Sequence, residues 1–237
     1  MATSLHFALI LHIISGSIAL ITGFLSMLNR KGSKPHRLTG KLFFAGMTGV
    51  FLTTIFIAWF KNLPFLFMVG FFSYYLACSG YRALKLKKLH AGQPAAPIDW
   101  TVSIIGIVSG AALIGFSVTW FATRGGWGLV PLSFGIFCLV GGITDMRNYV
   151  RSPLNKNHWV ITHGGRMGGS FAATLTAFTV VNFSLGAYTW VLWLLPGVLT
   201  GIWINRLIRG FMKKPVLKTE MLENTGIQQQ RAFPDGV

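Results

Sequence analysis

His163, Arg166 and Ser170 stand three and then four residues apart in the stretch "HWVITHGGRMGGS" at 158–170. On a helix that spacing puts all three on one face. An imidazole, a guanidinium and a hydroxyl side by side can bind an anionic or zwitterionic molecule, or pass a proton along. Outside the segment 213–237 the chain has only two carboxylates, Asp99 and Asp145. A short connection separates Asp145 from the 158–170 stretch, so it is the expected partner of Arg166 or His163. His12 is the third ionisable group set among apolar residues. It reads either as a proton relay or as a neutral histidine bonded to a neighbouring helix.

The elements that must position these groups are membrane helices. Mean hydropathy is +0.58 and only 11% of residues are charged, where a soluble domain carries roughly a quarter. Apolar runs cover 4–28, 38–60, 62–82, 99–121, 126–145, 158–183 and 186–208. Each is long enough to cross about 30 Å of hydrocarbon. The sequence therefore predicts an all-α, polytopic bundle of about seven transmembrane helices over 1–212, followed by a flexible cytoplasmic tail over 213–237. The first run lacks a basic start and is too long for a signal-peptide core, so it is expected to remain as a span.

The net charge of +16 does not indicate nucleic acid, because of where the charge lies. Seventeen of the 21 Lys and Arg residues fall in one alternate set of connections: 30–41, 82–88, 147–156 and 206–218. The other set holds Lys61 and Arg124 alone. Basic residues stay on the cytoplasmic side during insertion. The amino terminus is then outside, the carboxyl terminus inside, and the number of spans odd. The basic loops need no partner beyond the bilayer and its anionic lipid headgroups. A homo-oligomer or a membrane partner protein is compatible with the sequence.

Depth follows from a rise of about 1.5 Å per residue. His12 falls about 6 Å to the outer side of the midplane, His163 about 10 Å and Arg166 about 6 Å to the cytoplasmic side. An arginine at that depth costs roughly 3 kcal/mol unless it faces inward to a partner or to water. His36 and His158 both fall near the cytoplasmic interface. Asp99, just after Pro97, is placed to cap the fourth helix. Asp145, at the end of the fifth span, is placed where the helix dipole disfavours an anion and so needs a cation.

Gly164, Gly165, Gly168 and Gly169 form two overlapping small-xxx-small patterns that allow a second backbone to approach, with Gly141, Gly142 and Gly16 as counterparts. Cys78 and Cys138 lie inside predicted spans and read as small apolar packing residues. Neither a disulfide pair nor a metal motif is indicated.

Two stretches, "LHIISGSIALITGFLSMLNRKGSKPHRLTGKLFFAGM" and "HWVITHGGRMGGSFAATLTAFTVVN", together resemble an uncharacterised family of bacterial multi-pass membrane proteins, domain of unknown function 2306. The features that carry this are His12, the pair His36–Arg37 with Gly40, and the run His163, Arg166, Met167, Gly168. The resemblance implies a bacterial inner-membrane protein and brings no activity with it. A weaker resemblance is to transmembrane b-type cytochromes, which hold haem between histidines of different helices. It implies at most one haem, between His36 and His158, since His12 has no matching histidine at its own depth.

Two functions of different class follow. One is binding or transport of a small polar or anionic molecule, or of protons, at an inward site made by His12, Asp145, His163, Arg166 and Ser170. The other is electron transfer linked to haem b or quinone, with His36 and His158 as ligands. A metal-dependent hydrolase is disfavoured, because no HExxH or GxSxG occurs and His158 and His163 lie on different faces of one helix. A rhodopsin is excluded by the lack of a lysine in the seventh span.

Overall fold

The computed structural model describes residues 2–232, with side chains from 3 to 210. Among them lie seven α-helices and no strand: α1 (Ala2–Leu28), α2 (Lys34–Phe60), α3 (Pro64–Ala83), α4 (Pro97–Arg124), α5 (Leu129–Val150), α6 (His158–Asn182) and α7 (Thr189–Ala232). Helix starts follow local chemistry. A proline occupies the first turn of α2, α3 and α4, where its missing N–H removes nothing the helix needs. The Ser33 side chain accepts from the His36 N–H and caps α2.

Helices α1 and α2, α4 and α5, and α6 and α7 pack as hairpins, and α3 touches α2, α4, α5 and α6. The core is built on that central helix. On one side of α3, Phe65, Phe72, Tyr75 and Leu76 meet Leu113, Val130 and Cys138. On the other, Ala77 joins Ala19, Phe43, Met47 and Phe171.

Four stretches are long and apolar enough to cross a membrane: Thr3–Leu28, Lys34–Phe60, Pro97–Val150 and Gly186–Gly210. The third takes in both α4 and α5. Helices α3 and α6, expected from the sequence as spans, fall outside these four. The physical reason is composition. Polar and ionisable residues along their length, among them Ser73, Tyr75, Ser79, His163 and Arg166, lower their hydropathy. The outer helices show the reverse pattern, with Phe7, Ile13, Ile21 and Leu28 of α1 all exposed. Apolar residues outward and polar residues inward is the distribution of a membrane protein.

Two boundaries differ from the expectation in ways that matter. Helix α5 continues to Val150, so Asp145 lies more than a turn inside it rather than at its end. Helix α7 continues to Ala232, across most of the segment expected as a tail from 213. The side chains of that segment, its mobility, and residues 233–237 altogether lie outside the described residues.

The glycine expectations also divide. Gly164 and Gly168 receive Ile208 and Ile204 of α7, and Gly169 faces Leu76 of α3, whereas Gly165 has nothing within 4 Å of where a Cβ would stand. The α6 glycines thus admit side chains, and the Gly165 packing role is not found. Close backbone approach occurs elsewhere. A Cβ on Gly80 of α3 would meet the Met167 backbone nitrogen at 2.9 Å, and one on Gly110 of α4 the Leu139 nitrogen at 2.6 Å.

Candidate functional site

Asp145 sits on α5 facing α3 and α6, and its side chain is only 5% exposed. Three donors converge on it. Arg166 of α6 donates from Nη2 to Oδ1 at 3.2 Å. The Tyr75 hydroxyl donates to Oδ2 at 2.7 Å and the Ser79 hydroxyl to the same oxygen at 2.9 Å. The guanidinium also lies over the Tyr75 ring, 5.2 Å from its centroid. It fills the space beside Gly141, where any Cβ would collide with Nη1. The pairing expected between Asp145 and Arg166 is therefore present, at a site where neither side chain exceeds 15% exposure. Ion pairs with that little water are weakly screened.

The remaining predicted residues scatter around this pair. His163 turns away from Asp145, and its Nδ1 donates to the Gly80 carbonyl at 2.9 Å. Ser170 is fully buried and donates to the Ser73 carbonyl at 3.3 Å, so it ties α6 to α3. His12 bonds through Nδ1 to the Thr53 hydroxyl of α2 at 2.9 Å. That partner comes from another helix, as expected, but it belongs to the α1–α2 hairpin and has no contact with the Asp145 group.

His36 and His158 are not brought together; His36 neighbours His163, and His158 neighbours His90. The His158 ring nitrogens face the Asn155 and Leu86 carbonyls at 3.2 and 3.0 Å, which leaves neither free for iron. His36 faces the Ser26 carbonyl and His163 instead. Depth alone made His36 and His158 look alike. The fold sends one against α1 and the other against the loop after α3.

Sequence reasoning missed Tyr75 and Ser79. They stand four apart, with Arg82 three further on, so one face of α3 carries a phenol, a hydroxyl and a guanidinium in "YYLACSGYR". That periodicity was a readable signal. Arg82 holds Asp99 through two nitrogens, at 2.6 and 3.0 Å. Asp99 also accepts from the Ala96 N–H at 2.8 Å, which realises the expected cap and ties the α4 start to the α3 end.

Ser79, Asp145, Asn148, Tyr149, His158 and Thr162 line part of a cavity of about 20 Å³, which is room for a single water. Its other lining residues, Ala83, Leu86 and Leu89, lie at the end of α3 and in the loop that follows it. On the opposite side Tyr75 adjoins the apolar cluster of Phe72, Leu76, Leu113 and Cys138. In the loop between α1 and α2, burial pushes the Lys31 pKa down. Among known proteins, no family model, no curated protein and no solved structure matches the chain.

Proposed function

We propose that the chain is a bacterial inner-membrane protein of seven spans, amino terminus outside, whose Asp145 site takes up and releases protons from the cytoplasmic side. One observation carries this reading. A buried carboxylate is shared by a guanidinium, a phenol and a hydroxyl, and it borders a water-sized cavity that leads to His158 and Tyr149. Buried ionisable groups facing the interior of a membrane bundle are the parts from which proton relays are built. The size of the cavity favours a proton over a larger solute. An anion finds Arg166 already neutralised by Asp145. Haem-linked electron transfer through His36 and His158 loses support because His158 has no nitrogen left to offer.

The apolar cluster beyond Tyr75 closes the far side, so the geometry supports access from one side at a time, as alternating access requires. Purified protein in liposomes containing a pH-sensitive dye tests the reading under an imposed potential. Proton flux above empty vesicles is expected, with Asp145→Asn reducing it to the empty-vesicle rate. Equal flux in wild type and Asp145→Asn, or none in either, sinks it.

A further inference from the structure

The geometry points to a transition-metal ion bound between His36 and His163, at a site distinct from Asp145 and independent of the proton reading. His36 Nδ1 faces the Ser26 carbonyl at 3.0 Å, with the Ser26 hydroxyl oxygen at 3.2 Å, and His163 Nδ1 faces the Gly80 carbonyl at 2.9 Å. A carbonyl oxygen only accepts, so Nδ1 bears the proton in each neutral ring and Nε2 bears a lone pair. Histidines that ligate a metal through one nitrogen donate the other N–H to a carbonyl or carboxylate in this way, which fixes tautomer and ring orientation. Two such rings stand together here, their centroids 6.4 Å apart and their planes at 85°. An ion at about 2.0–2.1 Å from a nitrogen stands about 3.2 Å from that ring's centre, so at this separation one ion joins both rings with the two Nε2 atoms facing each other in near-linear coordination.

Neither Nε2 has a hydrogen-bond partner among the described residues, yet no buried side-chain nitrogen or oxygen there lacks one. Both Nε2 atoms therefore open to accessible space, where an ion can arrive. Two lone pairs and no free N–H suit a Lewis acid. Imidazole selects zinc, copper, iron or nickel over the hard cations. Among the described residues no cluster of three or more His, Cys, Asp or Glu forms, so the other coordination positions fall to water. Such an open site exchanges its ion, unlike the closed four-ligand sites that hold folds together. The group that opposes the ion is Lys31, whose ammonium donates to the Ser26 and Met27 carbonyls at 3.1 and 2.7 Å.

Tag-free, full-length protein in detergent is titrated with Zn²⁺, Ni²⁺ and Cu²⁺ by calorimetry, and the ligands of the bound ion are counted by X-ray absorption. One ion per chain with two imidazole nitrogens is expected. Affinity should fall about tenfold or more in His36→Gln and in His163→Gln. It should rise in Lys31→Met and hold in His6→Gln. His163→Gln also loses a bond to α3 and can unfold. His36→Gln, at a half-exposed position, therefore carries the test, with its thermal midpoint checking the fold. Three results overturn the site: no stoichiometric ion, affinity in a folded His36→Gln equal to wild type, or a His36-dependent Soret band on adding haemin with no free ion retained.

Discussion

At Asp145 the balance of forces is easiest to see. Its carboxylate takes three donors in a place with almost no water. Removing one member of a buried pair leaves the other charge uncompensated, which costs about 3–5 kcal/mol. Asp145→Asn should therefore lower the thermal midpoint in detergent substantially. Arg166→Met added to it should recover part of the loss, because the stranded cation is gone. Purely additive losses in that double-mutant cycle would show that the two residues are not coupled. Tyr75→Phe removes one hydrogen bond to a charged group, about 1.5–3 kcal/mol, and should cost less than Asp145→Asn in the same melting assay. The pair itself was legible in the sequence, because an arginine inside a span must find an acid and only one was within reach. Tyr75 and Ser79 were less legible. A tyrosine and a serine inside an apolar run carry no charge, so nothing forces a partner on them until the fold brings α3 against α5.

Among the elements, α3 and α6 do most to place the site, and glycine sets the distance between them. Gly80 presses the α3 backbone onto Met167 and lets the Gly80 carbonyl accept from His163. A Cβ there would stand 2.9 Å from a backbone nitrogen, which cannot rotate aside. Gly80→Val should push α6 outward and lower stability by about 1–3 kcal/mol, as overpacking at a rigid contact does. Gly165→Ala is the matched control. The space around Gly165 is open, and alanine favours a helix by about 1 kcal/mol over glycine, so this change should be neutral or slightly stabilising. If both variants melt with wild type, α3 and α6 are not in close backbone contact. The positions of all seven helices could be read from apolar runs and proline starts. The glycine partners could not. A small-xxx-small pattern says that something comes close, while the choice between a neighbour's backbone and an isoleucine depends on which helix the fold brings there.

For the whole molecule the question is how many helices cross the bilayer. Composition alone marks four stretches and passes over α3 and α6, the helices that bring Tyr75, Ser79 and Arg166 to Asp145. Charge placement speaks for all seven. Loops 30–41, 82–88 and 147–156 all carry clustered basic residues. Contacts join the segments beside them: Ser26 with His36, His36 with His163, and Arg82 with Asp99. In the proposed topology these ends share the cytoplasmic side, where basic residues are retained. On the proposed seven-span reading α3 and α6 each cross as well. Fusions to an alkaline phosphatase active only in the periplasm test α6 directly. A fusion at 154, before α6, should be silent and one at 185, after it, active. Fusions at 62 and 90 make the same test of α3, with the first active and the second silent. A carboxyl-terminal fusion should be silent too. Equal activity at 154 and 185 would mean that α6 does not cross. Arg166 would then no longer lie inside the hydrocarbon, and the reason for its pairing with Asp145 would have to be found in water rather than in lipid.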